Sequence, residues 1–530
     1  MTTGRGRGDR GPEPGTRRRE PGPRALSPSP VPGFLSPVSR LLLLSPAVAA
    51  LALLAASAPR AAHAETRPRY GGTLVGSLLG RPTTFDPVEA RTHADVQVVS
   101  LLYDPLYQVG DDGVVIADLA LTYPTLSPDG REARVRLRPG VLFHDGSALG
   151  AGDVVASLDR LRKSRAGWLM APVASVTTAG DEIVFHLTRP APELIQLLAA
   201  PAASVTPGGR APGRVPVGSG PFLMRRPPRA GGMTLEAWDR YSAGRPYANR
   251  IELVWFQGGS DEARAYEVGE LNLSFRGAVA FTGHQPKYPT QVSSGPVAIL
   301  AYVGFGRAHG RAFDSIDLRQ ALSLALGRDG LRFIGTGEQV QPTLSPVAVD
   351  LGGREPARED LTARIDAAGA AVARAARSVR VLAGRSRPTF DLLVDRSRPD
   401  DREVGERVVG ALYQLGLSAR IVELDPAVMA ARIGRGECDL YIGQLVAPGP
   451  WPAVQIAAAF AAGGDSWAGA QLAAAQLEVD PALAAFGQRL PIVPLFHRAI
   501  RVHHRADVRR IGFDASGLLR YGSMYLFGGY

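Results

Sequence analysis

The sequence predicts a fold of the α/β class, or a mixed α+β fold, with more than one sheet. Three observations predict it. Apolar and polar residues alternate in short stretches such as residues 182–187, which is typical of a half-buried strand. In other stretches, such as residues 361–379, apolar residues recur at helical spacing. The two patterns follow each other irregularly, without a repeat of solenoid length, and this favours a mixed architecture.

The first half of the chain is expected to begin with a strand over residues 70–79, after a glycine turn. Val96, Val99 and Leu102 then lie at helical spacing, and Pro105 is expected to end their helix. The later elements of this half are a strand over 133–149 that turns at Pro139 and Gly140, an amphipathic helix over 152–164 with Asp153 in its first turn, a strand over 181–190 and a short helix over 191–200.

The second half repeats this mixture of elements. A helix over 317–329 has Leu318, Ala321, Leu322 and Ala325 on one face. Further along, the pattern predicts helices over 361–379 and 401–416, the second closed by Gly416, and strands over 389–395 and 417–424.

Length, charge and cysteine content limit the function classes. The 530 residues suffice for two or three domains. The net charge is +10, but residues 1–64 hold nine arginines and three acidic residues, which leaves 51 basic and 47 acidic residues, or +4. Basic and acidic residues nearly balance outside residues 1–64, so this part of the chain is not expected to bind nucleic acid. The single cysteine, Cys438, excludes a disulfide framework and a multi-cysteine metal site.

Residues 1–64 have the layout of an export signal rather than of a fold. A basic segment rich in arginine and proline precedes an apolar stretch from Leu41 to Ala58, and the small residues Ala62 and Ala64 follow. We expect cleavage after Ala64 and a periplasmic protein. No cysteine follows the apolar stretch, so a lipoprotein is not expected. The alternative is an uncleaved anchor, although the stretch is only about 18 residues long and Pro46 interrupts it.

Residues 215–224, VPVGSGPFLM, place two prolines and two glycines in front of an apolar run. Proline fixes the backbone angle φ, and glycine permits a close approach that a side chain would block. The segment predicts a rigid turn that leads Phe222 into a strand. From the residues alone, a purely structural turn explains it as well as a functional one does.

This segment resembles the Pro-Val-Gly-Thr-Gly-Pro-Tyr segment of the extracytoplasmic solute-binding proteins of family 5, the dipeptide-, oligopeptide- and nickel-binding components of ABC importers. Other stretches resemble the same family in the same order. They are YGGTLVGSL with TTFDPVEA, LLYDPLYQV, LRPGVLFHDGSALGAGDVVASLDRL, FDSIDLRQALSLALGRDGL and GECDLYIGQL, with RLPIVPLFHRAI as a weaker closing match. They span roughly residues 70–450, and their shared order carries more weight than any one of them.

The resemblance implies a periplasmic-binding-protein-like class II fold, in which two lobes joined by two hinge crossings close over a ligand. Ala298–Gly306 would be the first crossing and Leu490–Ile500 the return. Lobe one would comprise residues 65–298 with 495–530, and lobe two residues 299–494. The resemblance also implies a monomer that catalyses nothing, needs no cofactor and delivers a peptide-like or other small solute to an ABC permease in the inner membrane.

One departure from the family pattern concerns the ligand. Peptide-binding relatives carry an acidic residue after the Gly-…-Asp segment, where it pairs with the α-amino group of the peptide. The corresponding loop here, residues 443–454, has no carboxylate. A buried ammonium without a counter-charge is costly, so a free peptide N-terminus is disfavoured there. The candidate ligand contacts, taken from positions that match the family near the expected cleft, are Phe85, Tyr107, Tyr302, Gln444 and Trp451.

Two other groups of residues, the histidines near position 500 and the segment around Ser466, give weaker predictions of function. His503 and His504, with His497 nearby, could suggest a metal, but adjacent residues of a strand point to opposite faces, so we expect no metal site. Residues 464–468 around Ser466 nearly match a nucleophile elbow, yet no clear strand precedes them. The alternatives to an importer component are therefore a degenerate, non-transporting binding or sensory protein and, with Ser466 as its only support, a secreted hydrolase.

Overall fold

The computed structural model describes residues 68–276, 290–332, 334, 340–353, 361–383 and 388–527. Their strands run in chain order as follows: β1 Thr73–Ser77, β2 Tyr107–Val109, β3 Val115–Ala117, β4 Thr125–Leu126, β5 Glu132–Arg136, β6 Val173–Ala179, β7 Glu182–Leu187, β8 Phe222–Met224, β9 Gly232–Ala237, β10 Arg250–Val254, β11 Leu273–Ser274, β12 Thr290–Phe305, β13 Val340–Pro342, β14 Thr389–Asp395, β15 Ser418–Leu424, β16 Leu440–Val446, β17 Val493–Arg505, β18 Val508–Arg509 and β19 Tyr525–Leu526.

The α-helices follow between them: α1 His93–Leu102, α2 Ala151–Arg162, α3 Leu194–Leu198, α4 Gly259–Glu267, α5 Ala308–Arg311, α6 Ile316–Ala325, α7 Leu361–Ser378, α8 Arg380–Ala383, α9 Pro399–Gln414, α10 Pro426–Arg435, α11 Pro452–Ala462, α12 Trp467–Ala473 and α13 Val479–Arg489. Short 3₁₀ turns, such as Arg165–Met170, connect some of them. Within the described part of the chain, no helix combines the length and the apolar character that crossing a bilayer requires.

The largest sheet has eleven strands and runs through the whole described body. Its order is β15-β14-β16-β12-β17-β11-β1-β10-β9-β8, with β13 paired to β17 beside this path. At its centre β12 and β17 pair antiparallel over most of their length, with register shifts at three places. Both are longer than the crossings expected from the sequence, because each continues past the crossing as a partner of the other.

A second sheet, β4-β5-β7-β6, packs its apolar side against α2. The sequence pattern predicts that Val154, Val155, Leu158 and Leu161 form the buried stripe of this helix; the structure buries Val154, Leu158 and Leu161 and leaves Val155 half-buried. Asp153 in its first turn accepts hydrogen bonds from the Gly150 N–H at 2.9 Å and the Gly208 N–H at 2.7 Å, and thus satisfies donors that a helix start leaves free.

The turn at residues 215–224 docks onto the end of α1. Gly220 donates its N–H to the Leu102 carbonyl at 3.0 Å, and a Cβ on Gly218 would lie 1.9 Å from that oxygen. His144 joins the turn through both ring nitrogens, accepting from the Gly218 N–H at 3.2 Å and donating to the Gly220 carbonyl at 3.0 Å. The two glycines are needed because backbone meets backbone here. The predicted rigid turn that leads into a strand is confirmed.

The remaining sequence-predicted elements are found close to their expected positions. α6 buries the four residues of its predicted face, α7 keeps Arg374 and Arg377 exposed, and Gly416, with φ of 70°, ends the turn after α9. One stretch differs from its prediction. After the turn at Gly140 the chain forms only an isolated bridge between Leu142 and Ala148 rather than a continued strand.

Candidate functional site

A cavity of about 160 Å³ lies beside strands β12 and β16. Its walls come from two parts of the chain. The part before Thr290 contributes the loop ahead of α1, the 3₁₀ turn at Arg165–Met170 and residues 200–202. The part after Thr290 contributes β12, the end of β16 with its following loop, α11 and Ser516. We call this cavity the cleft.

Tyr302 forms part of the cleft wall from β12. Its side chain is 7% exposed, and its ring meets the Tyr441 ring edge-on, with centroids 6.1 Å apart. Burial raises the pKa of the Tyr302 hydroxyl, and the Arg91 guanidinium opposes that rise, as do a hydrogen bond with Tyr441 and the guanidinium of Arg165. The hydroxyl therefore lies in a positive field that favours negative charge nearby.

Gln444 faces the same cleft from β16, where it pairs with Ala301 of β12 in the antiparallel register. Its Oε1 is buried and has no hydrogen-bond partner among the described residues. An unpaired buried acceptor is costly, so the arrangement suits a ligand that supplies a donor. The residues that follow, 445–448, also line the cleft.

The charged side chains of the cleft are both arginines. Arg91 precedes α1, and its backbone N–H is fixed by the Asp95 carboxylate at 3.3 Å. Arg165 begins a 3₁₀ turn that is capped by the Ser164 hydroxyl. Both side chains are exposed, and among the described residues that line the cleft none is Asp or Glu. Arg91 has one ion pair, at 3.5 Å with the half-exposed Glu89.

The structure brings two of the five sequence-predicted ligand contacts, Tyr302 and Gln444, into the cleft wall. The other three lie outside it. Phe85 is half-buried against the core beneath β1 and α1. Tyr107 is fully buried, and its hydroxyl donates to the Thr122 carbonyl at 3.2 Å. Trp451 caps the start of α11 and packs against the same apolar core as Tyr107. These aromatic rings fill core space, which their apolar area explains.

The structure also places the histidine and serine constellations. His497 is buried and hydrogen-bonds the Ser345 carbonyl at 3.1 Å, and His504 bonds the Ser293 hydroxyl at 3.0 Å. In the described ranges, no group of three or more His, Cys, Asp or Glu side chains is arranged to hold a metal ion. Ser466 lies between two helices, α11 and α12, rather than after a strand. It therefore lacks the strand-to-helix turn of a nucleophile elbow.

Sequence reasoning missed Arg91 and Arg165. The chain contains 60 lysines and arginines, and nothing in the local sequence separates these two from ordinary solvated arginines. They became recognisable only when the fold placed both on the wall opposite Tyr302 and Gln444.

Comparison with known families and sequences gives a consistent result. A family model described as bacterial extracellular solute-binding proteins, family 5, middle region, matches residues 114–467. The oligopeptide-binding protein AppA of Bacillus subtilis is 25% identical over 283 residues, which are 50% of this chain and 52% of AppA. The chain thus matches only about half the length of that relative. The glutathione-binding protein GsiB of Pectobacterium atrosepticum is 24% identical over 424 residues, or 73% of this chain and 79% of GsiB.

Solved structures share the fold. The periplasmic binding protein DppA of Helicobacter pylori, in complex with the peptide STSA, superposes with a TM-score of 0.72 at 18% identity, covering 87% of this chain and 99% of DppA. The binding protein AgaA from Agrobacterium tumefaciens R10, in complex with agropinic acid, gives a TM-score of 0.68 at 21% identity, with 87% and 99% coverage. At these identities the likeness shows the class II periplasmic-binding-protein fold.

Proposed function

The chain belongs to family 5 of the bacterial extracellular solute-binding proteins, and we propose that it captures a small solute in the cleft and delivers it to an ABC permease of the inner membrane. The observation that carries this proposal is the cleft itself. Its walls combine residues of both groups that we assign below to separate lobes, which is where a two-lobed binding protein holds its ligand.

The charges of the cleft favour an acidic solute. Arg91 and Arg165 offer two cations, no carboxylate lines the cleft in the described part of the chain, and the loop at residues 443–454 contains none. Arginine pairs well with planar carboxylates, and a free ammonium would lack a partner there. Relatives named for binding oligopeptides and glutathione, and a neighbour bound to agropinic acid, support a peptide-like or other small organic acid.

We further propose that residues 65–298 with 495–530 form lobe one and residues 299–494 form lobe two. Side-chain contacts join the two groups. Arg81 Nη1 pairs with Asp425 Oδ2 at 2.8 Å, and Arg189 Nε donates to the Ala473 carbonyl at 3.2 Å. Contacts of this kind are available only when the lobes lie close together, so they favour a closed form that the permease recognises.

The proposal includes export and assigns no reaction to the chain. Residues 1–64, which lie outside the described residues, would direct secretion and be cleaved after Ala64, so that a mature periplasmic protein without a lipid anchor begins at Glu65. Sequencing the N-terminus of the exported protein tests this step. The family consists of binding proteins, and the position of Ser466 between two helices supports binding without hydrolysis.

A thermal-shift screen of the full chain tests the proposed function. The pools are acidic solutes, namely opines, glutathione and N-acetylated peptides, against sugars, metal chelates and peptides amidated at the C-terminus. We expect an acidic pool to raise the melting temperature, because a ligand that binds only the folded state stabilises it. The Arg165→Met variant should bind the same solute at least about tenfold more weakly, since it removes a charge-assisted contact.

Arg226→Met is the matched control. Arg226 is also exposed, lines neither this cleft nor the other cavities described, and should bind like the parent after substitution. A full set of pools without any shift would favour the non-transporting alternative. A solute whose affinity is the same in Arg165→Met and the parent would refute the assignment of an acidic ligand.

A further inference from the structure

A second cavity, of about 560 Å³, lies behind the cleft within the part of the chain that we assign to lobe one. Its walls come from the end of α1, the segment after α3, residues 241–247 and residues 510–523. Pro201 and Ser516 line both this cavity and the cleft, so the two share a wall. We call it the rear chamber.

Three carboxylates line the rear chamber, and two of them, Asp104 and Asp118, are buried; the third, the half-buried Asp514, accepts backbone N–H groups of Ser516 and Leu518 at 2.9 Å. Asp104 is 3% exposed and Asp118 is 5% exposed. The Tyr241 hydroxyl donates to Asp104 Oδ1 at 3.2 Å, and a side-chain hydrogen bond with Ser219 also stabilises this carboxylate, whereas Asp104 Oδ2 is buried without a partner. The Asp118 carboxylate forms no hydrogen bond or ion pair with any residue that the structure describes.

Among the described residues no arginine or lysine forms an ion pair with Asp104 or Asp118, although Arg138 acts on Asp118 at longer range. Arg138 is the cation that opposes the rise in the pKa of Asp118 that burial causes, but its Nε donates to the Asp118 backbone carbonyl at 3.0 Å rather than to the carboxylate. Arg245, Arg510 and Arg520 also line the chamber. Arg245 and Arg520 pair with Asp239 and Asp111, and the Arg510 guanidinium lies over the Tyr247 ring at 5.9 Å. Burial raises the pKa of Asp104 to about 6, and burial together with repulsion from Asp104 raises the pKa of Asp118. A bound cation would remove this penalty.

A third polar group and the aromatic walls indicate what kind of cation fits. Ser204 lines the chamber, is 4% exposed, and its Oγ is buried without a partner. Five tyrosines line the chamber as well: Tyr70, Tyr103, Tyr241, Tyr247 and Tyr521. Aromatic faces attract organic cations, and an ammonium supplies the donors that an unpaired carboxylate and a hydroxyl accept. A metal is the poorer fit, because no three acidic or histidine side chains of the described residues are arranged to hold one, and Asp514 already accepts two backbone N–H groups.

We propose that the rear chamber is a second binding site, which takes the protonated amine of a small organic molecule between Asp104, Asp118 and its tyrosine walls. The amine N–H groups donate to Asp104 Oδ2 and to the Asp118 carboxylate, and the Ser204 hydroxyl accepts a further bond. The carbon chain of the ligand lies against the rings. This site is separate from the arginine-lined cleft, and its existence does not depend on the proposed transport function.

Isothermal titration of the full chain with n-butylammonium chloride tests this site. We expect saturable binding of n-butylammonium and none of n-butanol or sodium butyrate, which have a similar size but lack the positive charge. Asp118→Asn should weaken butylammonium binding at least about tenfold, because a hydrogen bond to a charged group is lost. The same variant should not lower the melting temperature of the unliganded protein, since it removes a buried charge that has no partner.

Arg165→Met separates this site from the cleft, because it should leave butylammonium affinity unchanged whether or not the cleft binds its acidic solute. Three results would overturn the proposal: binding of n-butanol as strong as that of butylammonium, equal butylammonium affinity in the parent and Asp118→Asn, or an absence of binding. If Asp118→Asn unfolds the protein, Asp118 has a structural role and the ligand-binding assignment is likewise overturned.

Discussion

Replacing His93 by glutamine should change how stability depends on pH. His93 begins α1 and is completely buried, with its ring edge against Phe275 at a centroid distance of 5.5 Å. Nε2 hydrogen-bonds the Gly517 carbonyl at 3.2 Å, which requires the proton on Nε2, whereas Nδ1 is buried without a partner. A second proton would therefore enter an apolar site that offers it no acceptor.

The magnitude follows from proton linkage. Burial lowers the pKa of His93 from 6.5 to about 4. Because the folded pKa is the lower one, the unfolded chain binds the proton more readily, and stability falls as the pH drops below 6.5 towards 4. At about 1.4 kcal/mol per pH unit, the loss approaches about 3.5 kcal/mol well below pH 4 and is about 2 kcal/mol between pH 7 and pH 5.

Urea unfolding of the parent and of His93→Gln at pH 7 and pH 5 measures this effect. Asp401 and Asp104 have pKa values raised by burial to about 7 and about 6, so they add stability as the pH falls and obscure the trend in the parent alone. They act in both proteins, and the difference between the two isolates His93. We expect the free energy of unfolding of His93→Gln relative to the parent to rise by about 2 kcal/mol on going from pH 7 to pH 5.

Val98→Ala serves as the control for this experiment. Val98 lies on the same helix and is also completely buried, but it carries no titratable group, so its cost should be the same at both pH values. If His93→Gln behaves like Val98→Ala, with a cost that does not change between pH 7 and pH 5, His93 is protonated as easily in the folded protein as in the unfolded chain and the reasoning fails.

Two further predictions concern the docked turn and lobe closure. Gly218→Ala should lower the free energy of unfolding by about 3 kcal/mol, because its Cβ would lie 1.9 Å from the Leu102 carbonyl oxygen. The control is Gly213→Ala, which should change little because no atom lies within 4 Å of its new Cβ. Equal denaturation midpoints for the two variants would refute this prediction. Arg189 does not line the cleft, but its guanidinium donates to the carbonyls of Leu472 and Ala473 across the proposed lobes. Arg189→Met should therefore weaken solute binding several-fold. Unchanged affinity in calorimetry would show that this contact does not favour closure.

Much of the fold could be predicted from the sequence because local patterns determine it. The buried face of α6 and the charge at the start of α2 are both set by residues a few positions apart. The length of β12 and β17 could not be predicted in this way. Their full extent depends on pairing with each other across nearly 200 residues, and no local signal specifies a partner at that distance.

The site was less predictable than the fold, for a different reason. Tyr302 and Gln444 line the cleft and lie on strands that the family pattern identifies, and their contact with a ligand stays a prediction. Tyr107 and Trp451 follow the same kind of pattern, but an aromatic residue near a cleft can face either the ligand or the core, and here the core takes both. The chemistry of each cavity depends on charged residues outside the family motifs, which no spacing rule selects.

The net charge of the chain does not reveal the local charge of these two cavities. The chain beyond residue 64 is nearly neutral, yet the cleft presents two arginines and no acid in its described lining. The rear chamber presents two buried acids, Asp104 and Asp118, which form no ion pair with a described arginine. Pro201 and Ser516 line both cavities, so the two arginines and the two acids lie on either side of one shared wall. The absence of a carboxylate in the loop at residues 443–454 therefore does not leave this part of the protein without an anionic site. It leaves the cleft free to favour an acid, with an amine site on the other side of that wall.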